Sequence, residues 1–284
     1  QILTSFLRAH REGRPTFSVI IPSYERPDYL ARLFLKLEAQ REKDFEVIVI
    51  DQSAAPWPDA AKPRSFPVTY VHSPVKGAVK ARNAGGDIAT GEILAFTDDD
   101  CEPLEDWLSA ARPLIVDDTL AGIEGRVESD HLDDPDWRPV SNVGFAGLGF
   151  MTANLMARGE AFHRLDGFDL RFDEPHFRED TDFGWRLQAL GNVPYRDDVR
   201  VFHPAHKRDI ERESTAARNR FFEKDALLLK KHPARYKDLF LAEGHWSSTP
   251  GFTDYLLFGM QKYGVKAEGW ILDYVDVGAT DSIT

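Results

Sequence analysis

Residues 92–100 read Glu92-Ile93-Leu94-Ala95-Phe96-Thr97-Asp98-Asp99-Asp100. A short apolar run without alternation suits a strand buried on both faces of a sheet. This one leads straight into three consecutive carboxylates, which repel one another and have little room to separate at a strand end. A divalent cation removes that cost, and hard cations prefer oxygen ligands. Asp98 and Asp100 point to one side if the strand continues through them, so they can share one ion or its waters. The stretch predicts a cation site for a phosphate-bearing ligand, set against the plainer reading of an exposed acidic turn. An EF-hand loop starting at Asp98 needs Gly at 103 and Glu at 109, where the chain has Pro103 and Ser109. An Asp-x-Asp-x-Thr or -Val phosphotransferase motif fails at Glu102 and belongs on a first strand.

Upstream, Phe17-Ser18-Val19-Ile20-Ile21, stopped by Pro22, reads as a first parallel strand. Leu30, Leu33, Phe34 and Leu37 then recur at helical spacing, with Asp28 as the expected cap. Phe45 to Ile50 forms a second strand ending at Asp51. Strand, helix and strand within about 35 residues make a βαβ unit with a right-handed crossover. A loop from Ala54 to Pro67 precedes a third strand, Val68 to Val71. A second helix opens at Gly77, runs through Ala89 and is ended by Gly91. Four such alternations in about 85 residues predict an open, doubly wound α/β sheet. Ligands of such sheets bind at the carboxyl ends of the strands, where Ser23-Tyr24-Glu25-Arg26, Asp51 and the aspartate triplet all fall.

The second half is less regular. Ala121 to Val127 reads as a strand, and the acidic, Pro-containing stretch Asp130 to Pro139 as a surface loop. Gly144 to Gly149, with three glycines, suggests tight backbone packing. Glu179 to Gly191 is a helix with Phe183, Leu187 and Leu190 on one face. Val199 to Phe202 is a short strand before His203-Pro204-Ala205-His206, and Ser214 to Lys231 a long helix apolar through Phe222, Ala226 and Leu229. From His232 onward the chain is aromatic-rich without a clear period, and neither repeats nor low-complexity tracts occur.

The 284 residues, 42% apolar with 19 Phe and 6 Trp, suffice for a substantial core. A net charge of −12 excludes a broad sequence-independent nucleic-acid footprint. The single cysteine, Cys101, excludes an internal disulfide framework and reads as a buried apolar residue in a reducing compartment. No apolar run approaches the ~20 residues of a membrane span. The expected location is the cytoplasm, with peripheral contact at the inner face of a membrane left open.

Three further groups carry candidate chemistry. Gly77-x-x-Lys80-x-Arg82-Asn83 puts two cations and an amide on the first turns of a helix, a seat for a diphosphate or else a solvated basic face. Phe177-Arg178-Glu179-Asp180-Thr181-Asp182 gathers three carboxylates at a helix start. The dipole alone favours them there, with Asp180 as a cap, but one of them can instead act as a general base. His203 or His206, after a strand end, can complete the coordination of an ion held by Asp100.

In this order the features resemble the family 2 glycosyltransferases, from about Phe17 to about Asn219. The resemblance rests on Val19-Ile20-Ile21-Pro22-Ser23-Tyr24, Val47-Ile48-Val49-Ile50-Asp51, Lys80-Ala81-Arg82-Asn83 followed by Gly91, and Phe96-Thr97-Asp98-Asp99-Asp100. Gly167-Phe168-Asp169 and Glu179-Asp180-Thr181-Asp182-Phe183-Gly184-Trp185-Arg186-Leu187 complete it. It implies a GT-A fold, a Rossmann-like mixed sheet flanked by helices: a domain at 1–220, divided at 17–105 and 106–220, with a helical extension at 221–284. It also implies an inverting, metal-dependent enzyme that moves a sugar from a nucleoside-diphosphate donor (UDP-, GDP- or dTDP-linked) to a hydroxyl acceptor on a glycan, glycolipid or polysaccharide precursor.

Carried over by motif, Pro22, Tyr24 and Asp51 match positions near base and ribose. Arg82 matches one near base or diphosphate, with Arg26, Lys80 and Asn83 also on the donor side. Asp98-x-Asp100 matches the DxD motif, with Asp100 as ligand to Mn²⁺ or Mg²⁺, Asp98 or His203 assisting, and Asp98 and Asp99 competing for the ribose. In Glu179-Asp180, Asp180 matches the residue that deprotonates the acceptor. Gln52 departs from the Asp or Asn frequent there, and the acceptor-side stretch Gly144 to Asn154 does not identify the acceptor. Trp137 and Trp185 can stack on a sugar ring, although the core is the expected place for Trp185. The alternative from another class is a non-catalytic nucleotide-sugar-binding module.

Overall fold

The apolar runs of the first half form parallel strands because each is buried on both faces. In the computed structural model, which describes residues 13–209, 220–238 and 252–266, these strands are β1 (Phe17–Ser23), β2 (Phe45–Asp51), β3 (Val68–His72) and β4 (Ile93–Phe96). Helix α1 (Pro27–Glu38) covers one face and α2 (Ala78–Ile88) the other. Alternate residues of β1 divide between two cores: Val19 and Ile21 pack with Leu30, Leu33 and Phe34 of α1, and Ile20 with Val79 of α2. Helix α2 comes so close that a Cβ on Gly85 would lie 2.5 Å from Ile20. Arg26, not Asp28, is the cap of α1, and it has no side-chain capping bond. Pro27 takes the first turn, leaving Asp28 there to the helix dipole.

The eight-stranded sheet has the order β3-β2-β1-β4-β8-β6-β9-β5. Its second half adds β5 (Glu102–Pro103), β6 (Gly122–Glu128), β8 (Leu155–Arg158) and β9 (Tyr195–Phe202). Strand β8 lies antiparallel between β4 and β6, so the sheet is mixed. β9 starts four residues earlier than the sequence pattern suggests and pairs parallel to β6 across an irregularity at Gly125/Arg126. The acidic loop after β6 is largely exposed but carries β7 (Trp137–Arg138), paired with β10 (His206–Lys207). Residues 144–149 do not pack tightly: Gly144 and Gly147 have positive φ and open space around them.

Beyond the sheet lie α3 (Trp107–Ala111), α4 (Gly159–Arg164) and α5 (Glu179–Gln188). Then come α6 (Glu223–Lys231), α7 (Pro233–Tyr236) and α8 (Phe252–Tyr263). Of the long helix expected from Ser214 to Lys231, residues 214–219 lie outside the described residues; the described part is a tight turn at Arg220–Phe222 followed by α6. Leu227, Leu228, Leu229, Tyr236, Leu256 and Met260 join Phe183 and Leu187 of α5 in one apolar cluster. Trp185 is 2% exposed and belongs to the same cluster, while Trp137 stacks on His131. Among the described residues no helix is long and apolar enough to cross a membrane.

Candidate active site

Strand β4 stops at Phe96, and Asp98 to Asp100 occupy the turn that follows, closed by the Cys101 amide donating to the Asp98 carbonyl at 3.1 Å. The turn gives each carboxylate its own set of donors. Asp98 accepts from Arg82 Nη2 at 2.9 Å. Asp99 accepts from Ser23 Oγ at 2.9 Å and Arg26 Nη1 at 3.1 Å. Asp100 accepts from Arg26 Nη1 at 2.7 Å and lies 2.9 Å from His206 Nε2 and 3.4 Å from His203 Nε2. Both histidines the sequence offered thus converge on Asp100.

Burial opposes ionisation of Asp100, but the His206 hydrogen bond and the His203 and Arg26 charges outweigh it and hold the carboxyl at about 2. Asp99, buried beside the Asp100 charge, is pushed up to about 6 in spite of Arg26 and Ser23. Ligand atoms of Asp98, Asp100, Cys101 and His203 all lie within 4.8 Å of one another. Asp100 Oδ1 is buried and no donor hydrogen-bonds to it. An acceptor-rich cluster with an orphaned carboxylate oxygen fits a divalent cation. Burial keeps the Cys101 thiol well above its ordinary value, so it stands as a protonated neighbour of this cluster.

Arg82 is 4% exposed, and its guanidinium joins two parts of the chain: Asp98 on one side and Glu179 Oε1, at 3.1 Å, on the other. Glu179 and Asp180 open helix α5. Its cap is Arg178, in the left-handed region at φ 66°, so Asp180 sits inside the first turn and is not the cap. The Thr181 amide donates to Asp180 Oδ1 at 2.7 Å. Burial first, then the negative charge of Glu179, pushes the Asp180 carboxyl up to about 7, against the pull of the Thr181 amide, Arg82 and Arg178. A carboxylate so placed is matched to proton transfer near neutral pH.

The other residues singled out in the sequence divide. Arg26, capping α1, reaches the triplet directly. Asp51, 2% exposed at the end of β2, accepts from Tyr70 Oη at 2.6 Å and the Ser53 amide at 2.9 Å. Pro22 is in β1 opposite Ile50, and Tyr24, 46% exposed, accepts from Lys76 Nζ at 2.7 Å. Gln52 donates to the Val75 and Gly77 carbonyls and braces the entry to α2.

Lys80 and Asn83 do not reach the acidic turn. Lys80 pairs with Glu174 at 2.7 Å, and Asn83 clasps both the amide and the carbonyl of Phe168 at 2.8 Å. The N-terminus of α2, read as a diphosphate seat, receives the carboxylate of Asp173 instead. A Cβ on Gly77 would lie 2.1 Å from Asp173 Oδ2. Sequence reasoning missed the hydrogen bond from Ser23 to Asp99 and the capping of α5 by Arg178.

Residues 18–178 match the profile of a family described as glycosyl transferase family 2, a stretch that ends one residue before Glu179. The chain is 30% identical over 242 residues to the O-antigen biosynthesis protein RfbC of Myxococcus xanthus, covering 72% of this chain and 18% of that protein. It is 37% identical over 202 residues to the succinoglycan biosynthesis protein ExoM of Rhizobium meliloti, covering 64% of each. The chain thus spans less than two thirds of the length of both relatives. In fold it is similar to a mannosyltransferase of Pyrobaculum calidifontis solved with GDP-Man and Mn²⁺, with a TM-score of 0.60 at 16% identity, covering 99% of this chain and 88% of that one. The mixed sheet with helices on both faces is the GT-A fold, and with more than half of its residues in the family match the chain belongs to glycosyl transferase family 2.

Proposed function

We propose that the protein is an inverting glycosyltransferase that uses a nucleoside-diphosphate sugar, a divalent cation and a hydroxyl acceptor of a polysaccharide or glycolipid precursor. The observation that carries this reading is Arg82. One buried guanidinium ties the cation-ready carboxylate Asp98 to Glu179, beside the proton-accepting Asp180. A phosphate-side cluster and a base-side helix start are therefore neighbours, as a direct displacement requires.

In this reading Asp100, Asp98 and one or both of His203 and His206 hold Mn²⁺ or Mg²⁺, which supplies charge neutralisation to the departing diphosphate. Pro22, Tyr24 and Asp51 line the nucleoside side, and the Arg26 guanidinium beside the triplet would pair with a phosphate. Asp180 accepts the proton of the acceptor hydroxyl as its oxygen attacks the anomeric carbon. The bond from that carbon to the diphosphate oxygen breaks on the opposite side, so the configuration inverts and a nucleoside diphosphate leaves. The biosynthetic roles in the names of RfbC and ExoM support a saccharide acceptor.

The test is a thermal-shift panel of UDP-, GDP- and dTDP-sugars with and without Mn²⁺, followed by chromatography of the nucleotide product. One donor is expected to stabilise the fold only with the ion, by about 2.7 kcal/mol at a hundredfold excess over Kd. Turnover releases the nucleoside diphosphate, and Asp180→Asn keeps the shift but loses 10²–10⁴-fold, roughly, in rate. Release of phosphate or pyrophosphate, binding without turnover on any acceptor, or a fully active Asp180→Asn would defeat the proposal.

A further inference from the structure

Cys101 directly follows the aspartate triplet and is the single cysteine of the chain. Its amide closes the turn on the Asp98 carbonyl, and the residue is 1% exposed. Its Sγ lies within 4.8 Å of ligand atoms of Asp98, Asp100 and His203.

A buried thiol beside acids is not in itself a site. What points to a ligand is a pair of atoms, Asp100 Oδ1 and His203 Nε2, which lie 3.4 Å apart. Asp100 Oδ1 is buried and receives no hydrogen bond. His203 Nδ1 lies 3.1 Å from the Pro204 carbonyl, which can only accept, so in the neutral ring Nδ1 carries the proton. The lone pair is then on Nε2, facing the carboxylate oxygen. Metal-ligating imidazoles are oriented in this way, by donation from the other ring nitrogen to a carbonyl. Two buried acceptors facing each other with no proton between them mark the place of a cation. A tetrahedron with bonds of about 2.0–2.1 Å has edges of about 3.4 Å, so this pair is already spaced as two ligands of one ion. Inward shifts of about 1 Å bring Cys101 and Asp98 onto the remaining corners. Asp98 has a second oxygen to offer while Oδ1 keeps Arg82.

This set is not the one a hard cation selects. Mg²⁺ takes oxygen ligands and keeps several waters, whereas thiolate, imidazole and carboxylate in fourfold array are ligands of zinc. We propose that Asp98, Asp100, Cys101 and His203 form a closed tetrahedral site for a thiophilic divalent cation, Zn²⁺ above all. On binding, the S–H bond of Cys101 breaks, its proton passes to solvent, and the sulfur joins the ion as thiolate. Protein then fills all four positions and leaves none for a diphosphate, so Zn²⁺ excludes the Mn²⁺ or Mg²⁺ that serves transfer. The inference rests on the reading of the acidic turn as a cation site, to which it adds Cys101 and an inhibitory ion.

The experiment is titration of the whole chain, stripped of metal by a chelator, with Co²⁺ as a spectroscopic probe. Cys101 is the only thiol, so a sulfur-to-cobalt charge-transfer band in the near ultraviolet can come from no other cysteine. The expected result is that band, with the intense visible absorption of tetrahedral cobalt, saturating at one ion per chain and erased by Zn²⁺. Cys101→Ser is expected to lose the band and to bind Zn²⁺ about tenfold more weakly or worse by calorimetry. Its Mn²⁺ affinity, read by electron paramagnetic resonance, stays at the wild-type value. Absence of the band from the wild-type chain overturns the proposal, as do unchanged Zn²⁺ affinity in Cys101→Ser and simultaneous binding of Zn²⁺ and Mn²⁺. If Cys101→Ser does not fold, the wild-type cobalt spectrum decides alone. Mn²⁺ binding without the cobalt band sinks the zinc site and leaves the transferase cation standing, whereas failure to bind either ion defeats both.

Discussion

Two carboxylate clusters lie at either end of Arg82, and they differ in what surrounds them. Around Asp100 stand His203, His206 and Arg26, donors and cations that hold it ionised down to about 2. Around Asp180 stand burial and Glu179, which raise it to about 7. Both are aspartates in the first residues after a buried strand or at the start of a helix, and sequence alone makes them look alike. Their neighbours give one the character of a permanent anion and the other that of a proton acceptor, which is how two carboxylates come to do different work in one site.

Removing the link between them should have the largest effect. Arg82→Gln strands the buried Glu179 and the half-buried Asp98, and is expected to cost about 3 kcal/mol in urea unfolding. A loss below about 1 kcal/mol would mean that the two clusters are not held together through this guanidinium. Asp100→Ala breaks the comparison from one side. It should erase the Mn²⁺-dependent part of the donor-induced stabilisation, about 2.7 kcal/mol at a hundredfold excess of ligand. An undiminished metal-dependent shift in that variant would move the ion site away from Asp100.

The smallest effect sharpens the other side. Asp180 must be ionised to accept a proton, so with its carboxyl near 7 the rate should fall about tenfold per pH unit below that value. The sign for stability is the reverse. The folded state holds this proton more tightly than the unfolded chain, so the stabilisation is complete below the unfolded value near 4 and is lost as pH rises through about 7. A rate profile flat from pH 5 to 8 would show that Asp180 does not titrate in the step that limits turnover.

The donor half of the fold was legible because its strands are continuous apolar runs and its helices keep a 3.6-residue spacing. Phe17 to Phe96 needed only end corrections, the Asp28 cap among them. Strand β8 was not legible. Leu155 to Arg158 is four residues long with no alternation, and it is identified only by its partners β4 and β6, which lie far away in sequence. In the site, residue types were readable and their commitments were not. Lys80, Arg82 and Asn83 share two turns of helix, yet only Arg82 faces the acidic turn. The others go to Glu174 and Phe168, which are reached only after the chain has crossed the sheet and returned. Likewise Gly144 and Gly147 looked like packing glycines but serve positive-φ turns in open space.

The seating of Asp173 against the start of α2 has a consequence for how the protein opens. Between residues 168 and 174 the chain is fastened to this one helix by Asn83, by the Lys80 amide and by the Lys80 side chain. Segments more than eighty residues apart in sequence are thus tied together, and local opening is expected to involve both at once. The stretch leading to Glu179 and Asp180 inherits the rigidity of a helix on the donor side, so disorder at the base end of the site should require α2 to loosen first.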